Sequence, residues 1–139
     1  MAAGSMIARL ESGYLLLAGV VAALTGLGMI ALPGAFYGSY GIDPAASIDL
    51  ANELRSPGLW LALIGFIIAR GALRPDMRRL PLATAAAFYL SHAAARGLAI
   101  AADGPPGPGL ITAMTSELLL GIAGALFWRR RHAEGLGLP

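Results

Sequence analysis

The sequence contains no cysteine and no lysine, and only 13% of its 139 residues are charged. A soluble globular chain carries about 25% charged residues, so this chain offers little surface to water. The absence of cysteine excludes disulfides, thiol chemistry and thiolate metal sites. The sequence also lacks a glycine-rich phosphate loop, a nucleophile elbow and a paired-histidine metal motif, so it points to no catalytic residue.

The sequence is instead rich in long apolar stretches, and 57% of its residues are hydrophobic. A helix needs roughly 20 mostly apolar residues to cross the hydrocarbon core of a bilayer. Four stretches meet this length, and we predict membrane spans over residues 12–32, 54–73, 81–102 and 110–128. Because none of them has a polar face, we predict an all-α fold: a four-helix transmembrane bundle forming one membrane domain over residues 1–139.

The arginines predict the orientation of these spans. With four spans, eight of the ten arginines fall on the side of the two termini: Arg9, Arg70, Arg74, Arg78, Arg79, Arg129, Arg130 and Arg131. The positive-inside rule makes that side cytoplasmic, so both termini are predicted to be cytoplasmic. The net charge of +2 does not predict a nucleic-acid partner, because the arginines flank apolar segments instead of forming a phosphate-binding face.

The predicted outer side carries one sizeable loop, Pro33 to about Glu53. Its first part is rich in aromatic residues, which suit the headgroup layer of a membrane. Asp43 followed by Pro44 is typical of a helix start, with an N-cap and a proline in the first helical position. We therefore predict a short interfacial helix that leads into the second span and bends near Pro57, where a backbone donor is missing.

The turn between the third and fourth spans, Asp103–Gly109, predicts a specific ion pair. Its centre lies between Pro106 and Gly107; Arg96 is ten and a half positions before that centre and Glu117 is ten and a half after it. Equal distances place both residues at one depth in an antiparallel hairpin. Since a lone charge in hydrocarbon is costly, we predict that Arg96 and Glu117 contact each other.

Other polar residues are expected near this pair, and together they form the candidate ligand-binding cluster. Its members are Asn52, Glu53, Arg55, His92, Arg96 and Glu117. Three interpretations remain open: ion pairing that fixes helix register, a pocket for a ligand or headgroup, and acid–base chemistry. One histidine within the spans and no cysteine argue against a metal site, and no cofactor is predicted. Glu11 and Tyr14 are interpreted as residues placed at a membrane boundary.

The same residues carry a resemblance to a known family. The chain resembles the domain of unknown function 4345 family, a bacterial family of small membrane proteins. The matching pieces, which lie between about Leu17 and Leu126, are Asn52-Glu53-Leu54-Arg55, Arg96-Gly97-Leu98, Gly104-Pro105-Pro106 and Glu117-Leu118. The resemblance implies a four-span bundle in the bacterial inner membrane and supplies no activity. His92 is not part of the family pattern.

Three functions are compatible with the sequence. The first is an accessory or scaffold component, which the small size and the many small residues favour. Helices use small residues for close contact within a bundle, in self-association or with other membrane subunits. The second is a binding protein for a lipid, quinone or similar amphiphile. The third is a membrane enzyme acting on an apolar substrate, with Glu53, His92 or Glu117 as the proton carrier. Membrane lipids are expected partners in all three.

Overall fold

The computed structural model describes residues 2–135. The predicted domain, residues 1–139, extends beyond this range at both ends. The described chain is all-α and has no strand. Four of its five helices are long, and short 3-10 turns at Pro44–Ala46 and Pro75–Met77 precede two of them. The helices are α1 (Ala2–Ala31), α2 (Pro33–Gly38), α3 (Ile48–Leu73), α4 (Arg79–Asp103) and α5 (Pro108–Gly135).

Small residues allow α1 and α3 to lie in close contact along much of their length. A Cβ on Gly65 of α3 would lie 2.6 Å from the carbonyl oxygen of Gly19 and 2.8 Å from the Cα of Ala23, both on α1. Gly26 of α1 likewise lies against the backbone of Gly58. Interhelical contact through small residues, predicted as intramolecular packing, is confirmed for this pair.

The second pair is the hairpin of α4 and α5, and it joins the first pair mainly at one end. The core between the pairs is built around Leu15, Ile68 and Leu82, which are fully buried. Tyr14 of α1 donates a hydrogen bond to the carbonyl of Leu120 on α5, 2.8 Å away. Since few contacts join α1 to α5 elsewhere, these residues fix the position of the hairpin relative to α1 and α3.

Three of the long helices in the described chain are long and apolar enough to cross a membrane: Gly4–Ala31, Ile48–Leu73 and Pro108–Glu134. These helices indicate a multi-pass membrane protein. The helix α4 is not among the three. It covers the predicted span 81–102 but carries Arg79, Arg96 and Asp103, and these charges lower its hydropathy.

The first loop differs in detail from its prediction. Asp43 does cap a helical turn, since its Oδ1 accepts from the Ala45 N–H at 2.9 Å, but that turn is a three-residue 3-10 helix. Ser47 then caps α3 by accepting from the N–H of Leu50. The second long helix therefore begins at Ile48, six residues before the predicted start, and runs continuously through Pro57. The short helix within the loop is α2, which begins at Pro33.

Candidate functional site

A cavity of about 610 Å³ lies between the two helix pairs at the end where α4 turns into α5. This volume falls within the range of small-molecule pockets, about 300–1,000 Å³. Its wall on α1 and α3 is largely apolar and includes Val21, Met29 and Leu61. Its opposite wall carries polar side chains of α4 and α5. The cavity is thus amphipathic, with its two kinds of wall supplied by different helix pairs.

Arg96 and Glu117 form the ion pair on the polar wall. Arg96 donates from Nε to Glu117 Oε2 at 2.8 Å and from Nη2 to Oε1 at 3.1 Å. This bidentate geometry is the strong form of an arginine–carboxylate pair, and it confirms the predicted contact. The Glu117 side chain is 14% exposed and that of Arg96 is 34% exposed. The pair is therefore half-buried, and both of its residues line the cavity.

His92 lies beside this pair and lines the same cavity. Its Nδ1 is 3.0 Å from the carbonyl oxygen of Phe88, and its ring packs against the Phe88 ring with centroids 4.4 Å apart. A carbonyl only accepts, so Nδ1 carries the proton; in a neutral imidazole this leaves Nε2 as an acceptor. Nε2 has no hydrogen-bond partner in the described part of the chain. The polar wall therefore offers an acceptor on His92 and a donor on Arg96.

Aromatic residues of α2 and of the turn that follows it cover the end of the cavity. Phe36 packs edge-on against Tyr37 and Tyr40, with ring centroids 5.0 Å and 5.6 Å apart. The Tyr40 ring also reaches Gly109 at the start of α5. Tyr37 is buried and donates to the carbonyl of Leu54, and its burial raises the pKa of the phenol above the usual 10. The loop is therefore fixed over the cavity by a protonated tyrosine.

The other three members of the predicted cluster do not join this site. Asn52, Glu53 and Arg55 are exposed on α3 and do not line the cavity. The side of α3 that packs inward passes through Leu54 and Gly58. Successive residues of a helix are about 100° apart, so the neighbours of Leu54 point to the sides and away from the cavity. The structure brings together only His92, Arg96 and Glu117.

Sequence reasoning missed a second charged cluster at the opposite end of the bundle. Glu11 of α1 is 2% exposed and forms salt bridges with Arg131 of α5, at 2.6 Å, and with Arg78, at 3.5 Å. The interpretation of Glu11 and Tyr14 as boundary residues did not include their contacts, because both side chains are buried and bonded to other helices. The sequence did contain a signal for this cluster: Glu11 directly precedes a long apolar run without charges. A carboxylate in that position requires a cation as its partner.

Arg78 is the centre of this second cluster. It is 4% exposed and lies directly before α4. Its guanidinium donates to the carbonyls of Ala8, at 2.9 Å, and Gly71, at 3.2 Å, and to the hydroxyl of Ser12. A buried arginine with this many acceptors is fully satisfied. The cluster therefore joins α1, the end of α3 and, through Glu11, the end of α5.

The described residues contain no group of three or more metal-ligating side chains that could hold a metal ion. The polar groups of the cavity suit hydrogen bonding to an organic headgroup instead. No curated protein and no solved structure matches the chain. A family model, the domain of unknown function (DUF4345), matches residues 10–128. This match covers most of the chain, which therefore belongs to the DUF4345 family, as its sequence motifs predicted.

Proposed function

We propose that this protein is a four-span protein of the bacterial inner membrane that binds an amphiphile in the cavity between its two helix pairs. The observation that carries the proposal is the cavity itself, which has an apolar wall on α1 and α3 and the Arg96–Glu117 pair on the other. A bundle packed by side chains alone would have no such space. The accessory or scaffold role stays a prediction.

The four-span arrangement is supported by the pairing of charges on α4. Arg96 is the one charge in the middle of that helix, and its bidentate bond to Glu117 lowers the cost of placing it in hydrocarbon. The connection from α3 to α4 and the Asp103–Gly109 turn then lie on opposite sides. The arginine-rich side, with both termini, is the cytoplasmic one.

This topology predicts the labelling of single cysteines in a chain that has none of its own. Ser47→Cys and Gly104→Cys are expected to react with an impermeant thiol reagent added to intact cells, because both positions lie on the outer side. Met77→Cys is expected to react only after the membrane is permeabilised. All three positions are exposed in the structure, so access to the reagent depends on the side of the membrane. The reverse pattern contradicts the orientation.

The charges on the polar wall favour a ligand whose headgroup is polar but uncharged. Glu117 already neutralises Arg96 through two hydrogen bonds. An anionic headgroup would have to compete with Glu117 for Arg96 and would lie close to its carboxylate. Arg96 keeps three further N–H groups, two on Nη1 and one on Nη2, from which a carbonyl or hydroxyl could accept. A hydroxyl could also donate to His92 Nε2. Quinones and lipids with hydroxyl headgroups have this chemistry.

Blocking the cavity is the test of ligand binding. Ala113 of α5 lines the cavity, and Ala113→Trp would place an indole in the space that an apolar tail occupies. Protein isolated from native membranes in mild detergent is analysed for co-purified apolar lipids by native mass spectrometry. We expect the wild type to retain an uncharged amphiphile, and Ala113→Trp to retain about ten-fold less, since filling the space removes most of the buried apolar contact.

Ala94→Trp is the matched control, because Ala94 is exposed on α4 and does not line the cavity. It makes the same substitution and is expected to retain the amphiphile as the wild type does. Equal retention by the two variants would contradict the cavity as the binding site. Recovery of the wild type free of any bound amphiphile would contradict the function.

A further inference from the structure

A second recess lies at the other end of the bundle, where α3 passes into α4. It encloses about 200 Å³ and contains no residue of the cavity described above. Its lining consists of two arginines among apolar residues: Ile67, Arg70, Gly71, Arg74, Met77, Leu80 and Pro81. This composition is typical of neither a buried protein core nor an ordinary solvated surface.

The two arginines of this recess have no counter-charge within the described chain. Arg78, Arg96 and Arg131 are all bound by carboxylates, but the side chains of Arg70 and Arg74 make no hydrogen bond or salt bridge with the described residues. Asp76 lies close in sequence and is also exposed, yet it pairs with neither. Both guanidinium groups are thus free to bind an anion from outside the chain.

The floor of the recess is rigid. Gly71 packs so closely on Pro81 that a Cβ at position 71 would lie 2.6 Å from the Cβ of the proline. The Nε of Arg78 also donates to the Gly71 carbonyl at 3.2 Å. Arg78 is turned inward by this bond and does not contribute its charge to the recess. The backbone at Gly71, between the two free arginines, is therefore fixed, and binding has to order mainly their side chains.

The apolar part of the recess is open to the surroundings. Ile67, on the membrane-length helix α3, is 46% exposed, and Leu80, in the first turn of α4, is 68% exposed. A soluble anion would use the arginines alone and leave these side chains uncovered. A phospholipid uses both parts, because its phosphate meets the arginines while its acyl chain covers the apolar side chains.

We propose that this recess binds the headgroup of an anionic phospholipid, with Arg70 and Arg74 on the phosphate and Ile67 and Leu80 against the acyl chain. The proposed topology places the recess on the cytoplasmic side. There anionic lipids give the surface a negative potential, and basic pockets between helices bind their headgroups. This site is separate from the amphiphile cavity, and either can exist without the other.

The test uses the full-length protein in non-ionic detergent with equal amounts of phosphatidylglycerol and phosphatidylcholine that carry the same acyl chains. Native mass spectrometry counts the bound lipids of each kind. The wild type is expected to prefer phosphatidylglycerol, and Arg70→Gln/Arg74→Gln to lose about ten-fold or more of that preference, since each arginine near an anionic lipid contributes about five-fold. Equal binding of the two lipids by the wild type would overturn the proposal.

The control is Arg129→Gln/Arg130→Gln, which removes the same charge from the same side but leaves the recess intact. It is expected to change the preference less than two-fold. An equal loss in both double variants would mean that only the overall charge attracts the lipid, and it would overturn the site. Glycerol 3-phosphate serves as the competitor without acyl chains. Displacement of phosphatidylglycerol at equal concentration would assign the site to a free anion.

Discussion

Glu11→Gln is expected to lower the free energy of unfolding by about 3–5 kcal/mol, because removing one member of a buried ion pair leaves its partner uncompensated. Here the glutamate is 2% exposed and is shared by Arg78 and Arg131. Arg78 would keep its bonds to backbone carbonyls but not its counter-charge. Thermal unfolding in detergent measures the effect, and a fall in the midpoint on the order of 10 °C or more is expected.

Arg130→Gln supplies the comparison for this variant. It removes a single ion pair, the i,i+4 pair between Arg130 and Glu134, whose side chains are 43% and 57% exposed. Exposed pairs of this kind contribute about 0.3–0.5 kcal/mol. The two variants should therefore differ strongly although each changes one charge by one unit. If the Glu11→Gln protein were as stable as the Arg130→Gln protein, it would contradict the stabilising role of the Glu11 cluster, the ion pairs of Glu11 with Arg78 and Arg131.

Gly65→Ala is expected to be the other severe substitution, although it adds only one methyl group. The new Cβ would lie within 3 Å of backbone atoms of Gly19 and Ala23 on α1, and a backbone cannot turn aside as a side chain can. Overpacking of a core costs about 1–3 kcal/mol and sometimes more. Because α1 and α3 form their contacts along this line, we expect a loss near the upper end of that range in the same unfolding assay.

Gly97→Ala is the matched control on α4. A Cβ at position 97 meets nothing within 4 Å, and alanine is favoured over glycine inside a helix by roughly 1 kcal/mol. This variant is expected to be as stable as the wild type or more so. The same substitution thus has opposite expected signs at two helical positions. If both variants changed the free energy of unfolding equally, α1 and α3 would have to lie farther apart than they do in the structure.

The residues that could be predicted from the sequence are those whose placement depends on local spacing. Arg96 and Glu117 are joined by one short turn, so counting residues from the turn is enough to match their depths, and the contact has the predicted partners. The four long helices follow for the same reason, since each apolar run is continuous. Their ends were less predictable: α3 begins at the Ser47 cap, before its apolar run starts.

The Glu11 cluster could not be predicted, because it joins parts of the chain that no short turn relates. Glu11 lies 67 residues from Arg78 and 120 residues from Arg131 in the sequence. Their contact depends on how the α4–α5 hairpin is rotated against α1, which the packing of Tyr14 and Leu82 determines. Glu53 and Arg55 stand outside the cavity for a similar reason, because α3 is rotated about its own axis so that Leu54 and Gly58 face inward. Depth within a membrane can be counted from sequence, but the direction of a side chain around its helix also depends on the neighbours.

The cavity also results from the way in which the two helix pairs pack against each other. The pair of α1 and α3 and the hairpin of α4 and α5 are held together at one end by the Glu11 cluster and the core around Leu82. At the other end, the polar wall of α4 and α5 faces a largely apolar wall that offers few hydrogen-bond partners. Closing that gap would bury the exposed part of Arg96 against apolar side chains, which is costly. An amphiphile with a polar head satisfies both walls.

A structure of the protein extracted from its own membrane with its native lipids tests this account most directly. Amphiphile binding predicts elongated density in the cavity between Met29 and Glu117, with its polar end about 3 Å from Arg96 or His92, the distance of a hydrogen bond. Contact of the two helix pairs along their full length, with side chains filling the space between Met29 and Glu117, would contradict it.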